Sequence, residues 1–208
     1  MNWVSLHHRL ERNAGLLIFG ILLVSSIGGM VQLLPIVTGD HAHAAPGLAP
    51  YPALELEGRD IYIRESCGTC HTQQVRPLLA EVKRYGPFSR AEEFAYDRPF
   101  LWGSKRTGPD LARIGGRYTD EWHRLHLLDP RSVVPVSIMP GYPWLAEHPA
   151  DRDGTIEARM RTLVKLGHPY TEADIAAAPA ALAGRTELDA VIAYLQGMGR
   201  SMQGAPQP

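Results

Sequence analysis

From Ala14 to Val37 the chain carries no charged residue. At a rise of ~1.5 Å per residue, a helix of this stretch reaches ~36 Å. A hydrocarbon core is ~30 Å thick, so the helix spans it with some tilt. The stretch therefore sets the layout: residues 1–13 lie on one side of a membrane, 14–37 cross it, and the remainder lies on the other side. Arg9 and Arg12 precede the apolar run, and no Lys or Arg follows until Arg59. The positive-inside rule then places the N-terminus in the cytoplasm and exports the rest.

A cleaved signal peptide is the competing reading, because Ala42-His43-Ala44 resembles a small-residue cleavage pattern. The apolar region of a cleavable signal usually runs ~7 to 15 residues. The run here is longer, so the helix is expected to be retained. Ser25, Gly28 and Gly29 would let another membrane helix approach closely, although small residues are common in any spanning helix. Pro35 is expected to kink or close the helix near its outer end.

Residues 38–53 hold Gly39, Pro46, Gly47, Pro50 and Pro52 and read as an extended linker. His41 and His43 lie within it, but two histidines without further ligands are expected to bind no metal. Residues 54–200 suit one compact domain, followed by a tail at 201–208. Lys and Arg number 21 against 22 Asp and Glu, which excludes the basic footprint of a nucleic-acid binder. The 2 cysteines, three positions apart, exclude a disulfide framework.

Those cysteines form Cys67-Gly68-Thr69-Cys70-His71, the pattern in which two thiols bond covalently to a haem and the adjacent histidine ligates its iron. Two intervening residues let both sulfurs reach one porphyrin edge. A thioredoxin-like pair would need a strand before it in a βαβ setting, and a zinc site would need a second Cys or His pair. Neither alternative fits well, and no second cysteine pair exists.

A sixth iron ligand would make the haem an electron carrier, whereas an open position would make it a ligand sensor. Met139, Met160, Met198, Met202 and several histidines are candidates. Met139 sits in the irregular stretch from Val136 to Trp144, where a loop can bring its thioether onto the iron, and it is the best of them. Met160 falls in the period Ile156, Met160, Leu163, Val164 of a half-buried helix, which predicts core packing. Met198 and Met202 follow the last helix. His123 and His126 belong to a short helix between Thr119 and Pro130.

The segment 57–66 is expected to be a helix with Gly58 and Tyr62 on one face. Leu188, Val191, Ile192 and Leu195 predict a second helix near the end. A glycine on the first would permit close crossing by the second. The expected architecture is mainly α: one N-terminal transmembrane helix, then a domain similar to class I cytochromes c with long loop insertions.

The chain resembles the membrane-anchored monohaem subunit of cbb3-type cytochrome c oxidases, the C-family haem-copper oxidases. The resemblance runs through residues 58–65, the haem motif, Arg76-Pro77, the block from Trp102 to Arg113, and Met139-Pro140-Gly141-Tyr142-Pro143-Trp144-Leu145. It implies one covalent haem c on Cys67 and Cys70, with His71 and Met139 as axial ligands. It also implies a periplasmic haem domain on a bacterial inner membrane. Single electrons would pass from a dihaem subunit or soluble cytochrome c to a b-type haem of the catalytic subunit, and the chain itself would hold no oxygen-reducing site.

The same resemblance suggests Ser104 as a ligand of a structural calcium shared with the catalytic subunit. Lys105 and Arg106 would pair with haem propionates or an acidic partner, with a solvated turn as the bland alternative. The family also departs from this chain at Thr72-Gln73-Gln74-Val75 and at Gly141. A free tethered carrier or the cytochrome subunit of a nitric oxide reductase is the alternative, which the Trp102–Arg113 block disfavours.

Overall fold

The structure is a computed structural model that describes residues 2–38, 44–103 and 105–199, without the side chains of 35–38. The chain divides into two units, Met1–His43 and Ala44–Pro208. In the first, α1 (Trp3–Arg12) and α2 (Ala14–Thr38) are separated by Asn13, whose side-chain oxygen accepts from the Leu16 amide at 3.1 Å and caps α2. Helix α1 adds structure to a segment read only as a terminus. Trp3, Leu6 and Leu10 recur on one face, and Arg9 and Arg12 lie in the last turn, where the helix dipole favours cations. Residues Ala14–Leu34 of α2 are long and apolar enough to cross a membrane. The helix continues through Pro35 to Thr38, so proline does not close it. So near the end of a helix, the missing N–H forfeits a single hydrogen bond.

The second unit is helical, and no strand occurs among the described residues. Helix α3 (Ala53–Arg64) starts directly after Pro52, four positions ahead of the expected start, because Ala53 and Leu56 are already buried. Ser66, in the left-handed region at φ 58°, turns the chain into the single turn of α4 (Cys67–Cys70). There follow α5 (Leu79–Tyr85), α6 (Asp120–Leu128), α7 (Pro130–Val133), α8 (Trp144–Glu147), α9 (Ile156–Lys165), α10 (Glu172–Leu182) and α11 (Glu187–Gly197). Capping boxes begin α10 at Thr171 and Asp174, and α11 at Thr186 and Asp189. Thr119 caps α6, accepting from the Trp122 amide. Pro130 occupies the first turn of α7, where a missing N–H has no cost.

The principal core forms where α11 crosses α3. Leu188, Ala190, Val191 and Tyr194 of α11 are buried there with Ile61 and Tyr62 of α3. The expected glycine contact is present: a Cβ on Gly58 would lie 1.9 Å from the Ala190 carbonyl oxygen. Tyr62 and Tyr51 meet the Tyr194 ring edge-on at 5.5 and 5.6 Å. Ile156 and Met160 of α9 complete this core, as their spacing predicts. A second, smaller core gathers Val75, Tyr85, Phe94 and Ala112, with Trp102 packed against it.

Candidate functional site

Cys67 and Cys70 stand three apart on α4, which places both sulfurs on one face of a helical turn. Cys67 is half-buried, Cys70 is exposed, and they are not bonded to each other. Burial, and then the charge of Glu65, pushes the Cys67 thiol up to about 11. A redox-exchange cysteine has its thiol lowered instead. This environment therefore disfavours a thioredoxin-like pair.

His71 follows the turn and is held on three sides. Its Nδ1 lies 2.8 Å from the carbonyl oxygen of Pro109. A carbonyl only accepts, so Nδ1 carries the proton and Nε2 keeps its lone pair for a metal. The Tyr62 hydroxyl donates to the His71 carbonyl at 2.7 Å. Gly108 lies flat against the imidazole: a Cβ there would approach the ring to 2.2 Å. The amides of Thr107 and Gly108 donate to the Cys70 carbonyl at 3.1 and 2.9 Å, which locks this loop to the motif.

The rest of the Trp102–Arg113 block wraps the exit from the motif. Thr72 donates to Asp110 at 2.5 Å, the Gln74 amide donates to the same carboxylate at 2.8 Å, and the Leu111 amide donates to the Thr72 carbonyl at 2.9 Å. Arg106 makes a two-pronged contact with Glu81 at 2.9 and 2.8 Å and donates to Thr72 at 2.6 Å. The expectation that Arg106 serves propionates or a partner is thus corrected: its fork is taken up inside the domain. Lys105 remains exposed. Trp102 meets Phe94 edge-on at 5.6 Å, so this tryptophan also has an internal role.

The Arg106 side chain, and after it that of Arg76, holds the Glu81 carboxyl at about 2, against an ordinary 4.5. A carboxyl lowered by folding contributes stability above its unfolded pKa and loses it as pH falls through the folded one. The full chain is expected to lose this contribution between pH 4.5 and about 2. Glu81→Gln should lower stability at neutral pH by about 2 kcal/mol, the scale of hydrogen bonds to a charged group, and flatten that part of the acid profile. Urea unfolding across this pH range measures both. Superimposable profiles for the two proteins would remove Glu81 from the account.

The Met139 loop is seated on α6 and α7. The Tyr142 amide donates to the Leu127 carbonyl at 2.7 Å, and Arg131 donates to the Ser137 carbonyl at 3.1 Å, which ties the loop to the end of α6 and to α7. Gly141 is required by this seam, since a Cβ would lie 2.4 Å from the Leu128 carbonyl oxygen. Burial, and then the nearby thiols of Cys67 and Cys70, raises the Tyr142 hydroxyl above its ordinary value. Tyr142 of the loop thus lies near the two cysteines of α4. Burial lowers His126 below its ordinary value. Met139 is half-buried against the principal core, as is Cys67.

These groups fit a covalently held haem: two thiols on one edge, a histidine whose tautomer is fixed, a glycine cradle that admits no side chain, and a thioether packed against the same core as Cys67. Of the other sixth-ligand candidates, Met160 and Met198 are buried in the principal core. Met202, His41, His43 and Ser104 lie outside the described residues, as do Ala42 and the tail. Among the described residues, no three or more His, Cys, Asp or Glu side chains group to hold a metal ion. The Pro109 carbonyl, Tyr62, Tyr142 and Glu81 are participants that sequence reading did not assign. Only the fixed Gly108-Pro109 pair offered a signal for the first.

Compared with known families, residues 7–185 match the one described as Cytochrome C oxidase, mono-heme subunit/FixO. No curated protein matches the chain.

Proposed function

The chain belongs to the mono-haem subunit family of cytochrome c oxidase, and from that premise we propose that it relays single electrons to the catalytic subunit of a cbb3-type oxidase. The donor is a dihaem subunit or a soluble cytochrome c, and the acceptor is a b-type haem. The observation that carries this reading is the His71 imidazole, held by the Pro109 carbonyl at 2.8 Å with Nε2 left to ligate. When bound, the haem supplies a one-electron ferric/ferrous couple.

Each residue has a separate task in this reading. Cys67 and Cys70 would hold the group by covalent bonds, so it would stay with the chain through every turnover. His71 would ligate the iron through Nε2. Its ring is oriented by Pro109 and Gly108, and its backbone is steadied by Tyr62. Met139 would give its thioether to the iron as a second ligand, which would leave no open position for oxygen and assign oxygen reduction to the catalytic subunit. Val136 and Ile138, 88% and 78% exposed beside Met139, form an apolar rim suited to partner contact. Helix α2 anchors the subunit in a bacterial inner membrane, with α1 at the cytoplasmic surface and the haem domain in the periplasm.

The test is purification of the full chain from its membrane in mild detergent, through a tag on this subunit. Co-purifying b-type haem and copper, with oxygen uptake from reduced cytochrome c, is the expected result. A lone c-type haem surviving several gentle detergents would replace the oxidase reading with that of a free tethered carrier.

A further inference from the structure

Helix α1 buries none of its residues, and Trp3 at its start is 82% exposed. A large aromatic side chain left open so close to a membrane span calls for an explanation. Trp3, Leu6 and Leu10 recur at helical spacing and share one face. His7 and Arg9 flank that face, while Ser5, His8 and Arg12 lie opposite it.

Two further observations say what covers the face. The first is continuity with α2. Only Asn13 separates the two helices, and it is extended, at φ −111° and ψ 99°, so α1 does not simply prolong α2. A helix of 10 residues is ~15 Å long. Run straight out from the membrane, α1 would carry Trp3 that distance into water. Turned at Asn13, it can lie along the surface.

The second observation is charge. Arg9 and Arg12 are exposed, and among the described residues neither meets a carboxylate. Glu11, which stands between them, is approached by His7 at 3.3 Å and by His8 at 3.9 Å. An apolar stripe that includes tryptophan, with arginine at its border, suits a bilayer interface, where cations meet anionic headgroups. Arg9 can rest its methylene stem on the apolar boundary and keep its guanidinium among those headgroups.

We infer that α1 is an interfacial helix that binds anionic phospholipid, with Trp3, Leu6 and Leu10 among the acyl chains and Arg9 and Arg12 against the headgroups. This rests on the reading above that α2 crosses the membrane. The leaflet is the one that α2 enters at its N-terminal end. The chain then holds the bilayer twice, once across it and once along its surface, and α1 resists displacement of α2 along the membrane normal.

The experiment uses the full chain with its haem attached, reconstituted into vesicles of phosphatidylcholine, alone or mixed with phosphatidylglycerol. Subtracting the emission of Trp3→Phe from that of wild type isolates Trp3 from the other tryptophans. In the mixed vesicles the Trp3 emission should shift to the blue and be quenched by lipid brominated along its acyl chains. Quenching should fall severalfold in phosphatidylcholine alone. It should be lost in Leu6→Gln/Leu10→Gln, which removes the apolar face and leaves every charge in place. Resistance to alkaline carbonate extraction, which depends on α2, should be the same throughout.

Water-like Trp3 emission, untouched by brominated lipid in a chain that resists extraction, overturns the inference and leaves the membrane span standing. Blue emission without such quenching overturns it too, since protein rather than lipid would then cover the face. Equal quenching in both kinds of vesicle removes the anionic headgroup from the account, and the inference with it. Release of the wild-type chain by carbonate defeats the reading of α2 itself, on which the inference depends.

Discussion

Serine at both Cys67 and Cys70 is expected to leave the purified full chain with no haem that survives denaturation. Only 2 cysteines exist in the sequence, so no other thiol can form the bonds. Both lie on the one turn of α4, and the remaining contacts of the site are non-covalent. Denaturing electrophoresis with a haem stain reads the result directly, and the alkaline pyridine spectrum reports how many thioethers remain. Each single serine variant should retain haem through one thioether, with its spectrum displaced. His71→Ala should keep the covalent bonds while losing the proximal ligand. Retention of stain in the double variant would refute the attachment and return the motif to the dithiol reading. The burial of Cys67, with its thiol pushed up to about 11, already opposes that reading.

The second large effect is structural. Gly58→Ala is expected to destabilise the domain by about 3 kcal/mol, at the upper end for overpacking. At an exposed helical position the same change would stabilise by about 1 kcal/mol, because alanine is the better helix former. Here the added carbon would stand 1.9 Å from the Ala190 carbonyl oxygen, 2.5 Å from its carbon and 2.8 Å from Tyr194 Cβ. Two of these three atoms are backbone, so relief requires moving α11 off α3. Tyr194 would move with it, disturbing its hydrogen bonds with Gln73, two residues past His71, at 2.9 and 3.1 Å. Urea unfolding followed by helical circular dichroism measures the loss, and haem content after purification reports whether the motif is still presented. A variant as stable as wild type would mean that the crossing is looser than its geometry implies.

Periodicity and spacing carried the reading of α2, α3, α9 and α11, because each owes its existence to an apolar run or stripe visible in one stretch of chain. The haem motif was legible for a similar reason, since its geometry is local. Features that depend on pairing across the sequence were not. Arg106 looked like a free cation until folding brought it to Glu81, 25 positions away. The partner of His71 is a backbone carbonyl, which no residue type advertises. Helix α1 was missed beside the far stronger apolar signal that follows it. Helix α10 was hidden by Pro179, which stands inside a helix and would ordinarily argue against one.

The crossing of α3 and α11 also imposes an order of events on the chain. Gln73 and Tyr194, which bond across it, lie 121 positions apart. Contacts of such span form late, after the intervening loop has been closed. A chain interrupted before α11 therefore contains Cys67, Cys70, His71 and Met139 yet lacks the wall against which α3 seats the motif. Possession of the motif and possession of the surface that seats it are separate attainments here, and the second waits on the last helix of the domain.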